Sequence, residues 1–209
     1  RLWAVADGMG GHPGGDVASR LVMDSLAELA PTLGGIASAP DLHEEERATD
    51  RLTTMAEQAH ASILTHAAQH PPLYGMGTTL VMAHLLPLPK PRLLVLNVGD
   101  SRAYLVRAGT LTQLTRDHTL IEEYVRDGRL TPAQAACHPN RHVLTRAMGL
   151  APHLESDLFF FDLLDGDLLL LCSDGLTKML TDERITQAVL PHQSDPLRTT
   201  QTLIQRALD

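Results

Sequence analysis

The chain has 209 residues, of which 44% are hydrophobic and 20% are charged, and its formal net charge is −8 at pH 7. This is typical of one globular domain, or at most two, and the acidic balance argues against nonspecific binding to nucleic acid or to an anionic membrane. Two cysteines without a disulfide pattern, and no apolar run near the ~18 residues of a membrane span, predict a cytoplasmic protein.

The first part of the chain predicts one strand followed by two helices. Leu2 to Ala6 is a short apolar run that leads into the glycine-rich stretch DGMGGHPGGD. Glycine is favoured where the backbone bends sharply or approaches another group closely. From Asp16, apolar residues recur at helical spacing, and a second helix is predicted from about Glu44 to His70, after a loop over Pro31–Asp41.

The middle of the chain predicts antiparallel strands and a small helical insert. The apolar runs TTLVMAHLL and RLLVLNVG have strand length, and SRAYLVRAGTLTQLT indicates a hairpin that turns near Ala108-Gly109. Two short helices follow, the second with a capping box between Thr131 and Gln134.

The last part predicts two more strands around Asp165-Gly166 and two closing helices. Leu168 to Cys172 is apolar at every position, which predicts a strand buried on both faces. Grouping of strands in the middle and helices on either side favours an α+β fold.

Two strands end in Asp-Gly, at Asp7 and at Asp174. If the strands are neighbours, the carboxylates converge, and they repel each other unless a proton or a cation lies between them. Carboxylate oxygens at the rim of a sheet suit Mg²⁺ or Mn²⁺. The alternative is that each Asp-Gly is only a turn.

Six segments resemble blocks of the PPM/PP2C family of metal-dependent Ser/Thr protein phosphatases in its bacterial form, and they occur in the family's order. They are VADGMGGHPGGDVAS, GMGTTL, LNVGDSRAYLVRAG, LTRDHTL, HVLTRAMG and LLLCSDGL. The resemblance covers essentially the whole chain, 1–209, as a single catalytic domain. It implies two packed, mainly antiparallel β-sheets flanked by helix layers, an α-β-β-α sandwich.

The resemblance also implies site residues. Asp7 resembles the carboxylate that bridges two metals, the Gly8 carbonyl a ligand of the second metal, and Asp174 a ligand of the first. Asp117 resembles the acid of a third, weaker metal site. Asp100 is expected to brace the hairpin turn. Residues 118–142, from His118 at the junction, resemble the variable flap beside the active site.

The family implies a reaction and partners. Two Mg²⁺ or Mn²⁺ ions share a water, lower its pKa, and the hydroxide attacks phosphorus in line, so that no protein nucleophile is needed. Phosphorylated Ser/Thr proteins are the implied substrates, with a cognate kinase as a further partner. Met9 stands where many eukaryotic relatives carry a histidine, so the leaving group is expected to take its proton from another source.

Two family segments are absent: an Arg-x-x-Asn-Glu-Asp stretch before the first strand and an Asp-Asn-x-Thr stretch with a strand at the end. We therefore expect a fragment of a longer catalytic domain, with incomplete sheet edges, at most one tightly held cation between Asp7 and Asp174, and little or no turnover. A degenerate gene product, a non-catalytic pseudophosphatase or sensor module of the same fold, and a hydrolase of small phosphoesters are the alternatives.

Overall fold

The computed structural model describes residues 1–10, 14–33, 43–86, 88 and 90–209. The strands are β1 (Leu2–Val5), β2 (Leu80–Leu86), β3 (Arg92–Val98), β4 (Arg102–Arg107), β5 (Thr110–Gln113), β6 (Asp157–Asp162) and β7 (Leu168–Cys172). The helices are α1 (Gly15–Leu29), α2 (Glu44–Gln69), α3 (Leu120–Arg126), α4 (Pro132–Ala136), α5 (Asp174–Thr177), α6 (Asp182–Val189) and α7 (Pro196–Leu208).

The strands form two antiparallel sheets with the orders β1-β2-β3-β6 and β5-β4-β7. Helices α1 and α2 pack on the first sheet, a second apolar layer lies between the sheets, and α6 and α7 pack on the other sheet. This confirms the predicted α-β-β-α sandwich. Among the described residues, none of the helices combines the length and apolar character that a membrane crossing requires.

The alternation of side chains along β2 shows how the sequence builds these layers. Leu80 and Met82 pack toward α1 and α2, whereas Val81 and Ala83 pack toward the second sheet. Successive residues of a strand point to opposite faces, so a central strand covered on both sides is apolar at nearly every position.

The predicted hairpin turn and two short helices between β5 and β6 are present. Ala108 (φ 48°) and Gly109 (φ 82°) both have left-handed backbones, which matches the twist of a two-residue hairpin turn. The capping box between Thr131 and Gln134 is present at the start of α4. The main chain closes the base of the insert, since the Leu120 N–H donates to the Val143 carbonyl over 2.9 Å.

Strand β7 departs from the prediction. Leu168–Leu171 are only half-buried and Cys172 alone is buried, so burial on both faces was wrong. The reason is that β7 is an edge strand: it pairs with β4, and its other edge lines a cleft of about 680 Å³ together with Trp3 of β1, the edge strand of the other sheet. These open edges agree with the expected incomplete sheets.

Strands β6 and β7 do not pair with each other, because the chain crosses from one sheet to the other between them. In the predicted loop over Pro31–Asp41, residues 30–33 form a 3₁₀ turn, and residues 34–42 lie outside the described part of the chain.

Candidate metal centre

The glycine-rich segment after β1 brings two stretches of backbone into contact. A Cβ on Gly8 would lie 2.1 Å from the Gly15 carbonyl oxygen, and a Cβ on Gly15 would lie 2.7 Å from the Met9 carbonyl oxygen. Only glycine permits this approach. The start of α1 therefore packs directly against the end of the strand that carries Asp7.

Hydrogen bonds to β2 fix the main chain of Asp7. Its N–H donates to Thr79 Oγ1 over 3.1 Å, and the Thr79 N–H donates to the Asp7 carbonyl over 2.9 Å. Thr79 Oγ1 also lies 2.7 Å from Ser101 Oγ, which is buried just before β4. Asp7 is thus positioned by contacts that join both sheets.

Asp7 meets Asp174 although their strands belong to different sheets. The pKa of Asp7 is raised by burial, then by the charge of Asp174 and by a side-chain hydrogen bond between the two acids. Ser173 and Lys178 partly offset that increase. The sequence predicted that the two acids converge only if their strands are neighbours, whereas in the structure they meet across the space between two sheets.

Asp100 lies in the turn between β3 and β4, and its carboxyl group interacts with the charge of Asp174. Burial and then the charges of Asp174 and Asp117 raise its pKa to about 6, against an opposing effect of Lys178. The hydrogen bond that also lowers the pKa comes from its own backbone. Asp7 and Asp100 therefore both interact with the charge of Asp174. We call these three residues the crowded carboxylates.

Asp117 has a different environment. Arg102 donates two nearly parallel hydrogen bonds to its oxygens, at 2.9 Å from Nε and 2.7 Å from Nη2, and Gln113 Nε2 donates a third at 3.1 Å. Both oxygens are engaged by protein donors, and 14% of the side chain is exposed.

His118 ties the start of the helical insert to the turn between β3 and β4. Its Nδ1 accepts the Gly99 N–H over 3.1 Å, and its Nε2 lies 3.3 Å from Asp157 Oδ2. Burial lowers the pKa of His118, and the nearby Asp157 partly offsets this. The ring is neutral in this arrangement because Nδ1 accepts a hydrogen bond.

Lys178 and His142 are two residues that the sequence reasoning missed. The ammonium group of Lys178 contacts Asp174 Oδ2. The pKa of His142 is lowered by burial and then by the charges of Lys178 and Arg141. An acid and a base four residues apart in a helix are a recognisable signal for the lysine, whereas nothing in the sequence distinguishes His142.

The donors present fit a hard divalent cation. Asp7 and Asp174 supply anionic oxygens, Gly8 can supply a carbonyl, and a cation between them would relieve the repulsion that raises the pKa of Asp7. Within the residues that the structure describes, no three His, Cys, Asp or Glu side chains converge on one metal position.

The model of the protein phosphatase 2C family matches residues 1–209. The chain belongs to the protein phosphatase 2C family. A serine/threonine phosphatase stp of Listeria welshimeri is 38% identical over 178 residues, which are 85% of this chain and 67% of the relative.

Solved structures of this family are similar over the whole chain. The serine/threonine phosphatase Stp1 from Staphylococcus aureus has a TM-score of 0.84 and 34% identity, covering 100% of this chain and 78% of that one. The catalytic domain of PstP, in complex with 2 manganese ions, has a TM-score of 0.80 and 36% identity, covering 100% and 81%. A protein phosphatase 2C chain is metal-dependent, and Mg²⁺ or Mn²⁺ is consistent with these relatives.

Proposed function

We propose that this chain hydrolyses phosphoserine and phosphothreonine in proteins, with Asp7 and Asp174 holding the cation that the reaction requires. Family membership supports the metal-dependent Ser/Thr phosphatase activity. The observation that carries the residue assignment is the meeting of Asp7 and Asp174 from two different sheets, where burial and then repulsion from Asp174 raise the pKa of Asp7.

When bound, the cation would polarise a water for attack on phosphorus and would neutralise phosphoryl oxygens. The chain's own contribution is orientation. Thr79 holds the main chain of Asp7, and the Gly8 carbonyl lies next to it in the segment packed against α1. Asp174 begins α5 directly after β7, so it is placed by the second sheet.

The structure favours this reaction over a cysteine nucleophile. Cys172 is buried, and burial raises the pKa of its thiol to about 12. The thiolate is the nucleophilic form of cysteine, and it is not populated at neutral pH with such a pKa.

A third, weaker cation would have to share Asp174 with another acid. We propose Asp100 for that position rather than Asp117, because Asp100 interacts with the Asp174 charge whereas Arg102 and Gln113 occupy both oxygens of Asp117. His118 and the segment 118–142 are proposed to form the wall beside the site, which His142 approaches through its interaction with Lys178 and Asp174.

The proposed substrates are phosphorylated Ser/Thr proteins of the cytoplasm, with a cognate kinase that phosphorylates the same proteins. Two free thiols, Cys137 and Cys172, are consistent with a reducing compartment. Family membership supports phosphorylated Ser/Thr proteins as the class of substrate.

The test is phosphate release from phosphothreonine peptides by the chain. We expect release, at a low rate, that depends on Mn²⁺ or Mg²⁺, stops in EDTA and persists after alkylation with N-ethylmaleimide. Release that continues in EDTA but is lost on alkylation would contradict the proposed chemistry. Binding of Mn²⁺ and phosphopeptide without any release would instead support a binding module.

A further inference from the structure

Lys178 places a positive charge next to the crowded carboxylates. Its ammonium group contacts Asp174 Oδ2. The backbone holds the two residues one helical turn apart, because the Lys178 N–H donates to the Asp174 carbonyl over 2.8 Å. The lysine is therefore attached to the same short helix as the proposed metal ligand.

The charge of Lys178 reaches beyond Asp174. It lowers the pKa of Asp7 and of Asp100, against the larger raising effects of burial and of Asp174. An ammonium close to three carboxylates is an internal counter-ion: it reduces their mutual repulsion without coordinating them as a metal does.

The ammonium group of Lys178 is partly exposed and can leave its position next to Asp174. The side chain of Lys178 is 44% exposed and that of Asp174 is 24% exposed. A lysine has a flexible stem and a single charged head, so rotation of its torsions can move the ammonium into water while the helix stays folded.

We propose that Lys178 sets the cation affinity of this site by occupying Asp174 until a divalent ion displaces it. The inference rests on the proposed function in one respect, that Asp174 is a metal ligand. A divalent ion and an ammonium repel each other, so both cannot be held close to the same carboxylate at full strength. The lysine thus weakens binding of the ion and stabilises the site without it.

The ordinary alternative is that this is an exposed ion pair between residues i and i+4, which contributes little to stability. The two explanations predict different effects on metal affinity when the charge of Lys178 is removed. Loss of a simple ion pair leaves metal binding unchanged, whereas loss of a competing counter-ion strengthens it.

The first measurement is calorimetric titration with Mn²⁺ alone on the chain and on Lys178→Met, which keeps the length of the side chain and removes its charge. We expect Lys178→Met to bind Mn²⁺ at least about tenfold more tightly than the original chain. Lys178→Arg keeps the charge and is expected to stay within a few-fold. The matched control is Lys90→Met at the exposed Lys90, which should leave the affinity unchanged.

Thermal unfolding gives a second readout that needs no activity. In EDTA, Lys178→Met is expected to have a lower Tm than the original chain because the crowded carboxylates lose their counter-charge. In saturating Mn²⁺ its Tm should rise by more than that of the original chain. Equal Mn²⁺ affinity and equal Tm shifts for the original chain and Lys178→Met, measured on variants with native circular dichroism, would overturn the proposal.

Asp174→Asn separates this inference from the proposed function. If Asp174→Asn loses Mn²⁺ binding and Lys178→Met binds as the original chain does, only the role of Lys178 is wrong. If Asp174→Asn binds Mn²⁺ unchanged, the metal assignment of the proposed function fails and the role of Lys178 fails with it.

Discussion

Asp117 and the crowded carboxylates are neighbours with opposite electrostatic environments. Arg102 and Gln113 satisfy both oxygens of Asp117. Asp7 and Asp100 are instead half-buried, and burial and then the charge of Asp174 raise their pKa values. A carboxylate that the protein already neutralises has a structural role, whereas carboxylates that repel one another can gain free energy from a bound cation.

The pairing of Asp117 continues into a chain of hydrogen bonds. Arg102 Nη1 donates to the Tyr104 hydroxyl over 2.8 Å, and that hydroxyl donates to Asp182 Oδ1 over 3.1 Å. Tyr104 is fully buried in β4, and Asp182 begins α6. The acid that the sequence associated with a metal thus connects a strand to its covering helix layer.

The largest expected difference in Mn²⁺ affinity is between neutralising Asp174, one of the crowded carboxylates, and neutralising Asp117, which is paired with Arg102. Removal of an outer-shell partner costs 10–100-fold in metal affinity, so Asp174→Asn at a direct ligand should cost at least about 100-fold in Mn²⁺ affinity and in phosphate release. Asp117→Asn should change Mn²⁺ affinity by less than about tenfold. Calorimetry and the phosphopeptide assay measure both. Equal losses in the two variants would contradict different roles for Asp174 and Asp117.

The next effect concerns stability in the paired region. Arg102→Met leaves Asp117 without its main partner and removes a donor to Tyr104, which should lower the free energy of unfolding by about 3 kcal/mol in urea. Arg92→Met is the control on β3, because the partners of Arg92, Glu45 and Asp162, reach solvent. It should cost less than about 1 kcal/mol. Similar costs for the two variants would contradict a structural role for the Asp117 pair.

A smaller change of opposite sign in the free energy of unfolding is expected when one of the crowded carboxylates is neutralised. Asp100→Asn removes one repelling charge at pH 7, so it should raise the free energy of unfolding in EDTA by roughly 1 kcal/mol, after discounting for solvent. Asp165→Asn, in an exposed turn, is the control. Because Mn²⁺ relieves the same repulsion, the gain should shrink in saturating Mn²⁺. A loss of stability in EDTA would mean that Asp100 makes a favourable contact.

Much of the fold could be predicted because local patterns decide it. The alternation along β2, the Ala108-Gly109 turn and the capping box at Thr131 depend on residues close in sequence. The partial exposure of β7 could not be predicted, because an unbroken apolar run does not indicate whether another strand pairs with the outer edge of β7.

The candidate site was predictable to a similar extent. Asp-Gly at two strand ends indicated Asp7 and Asp174 as a pair. The environments of Asp100 and Asp117 could not be read from the sequence, because they depend on which side chains from distant strands reach them. Arg102 lies 15 residues from Asp117. Lys178 could have been found from its spacing to Asp174.

A buried histidine on α2 gives a pH dependence of stability that is opposite in sign to that of Asp100. His60 on α2 accepts the Gly149 N–H at Nδ1 over 3.0 Å, and its Nε2 lies 2.9 Å from the Ala151 carbonyl. Burial lowers its pKa, and protonation would break the bond from Gly149.

The sign of the effect follows from proton uptake. Below about pH 6.5 the unfolded chain protonates His60 while the folded chain does not, so stability falls as the pH drops toward the folded pKa, by at most about 1.4 kcal/mol per pH unit. Asp100 acts in the opposite direction, because its folded-state pKa of about 6 lies above the usual value and its protonation stabilises the folded chain. Urea unfolding in EDTA from pH 7.5 to 5 should therefore show a shallower loss of stability, or a gain, in His60→Gln, while His70→Gln at the exposed His70 keeps the original slope. An unchanged slope in His60→Gln would show that His60 does not carry this pH dependence.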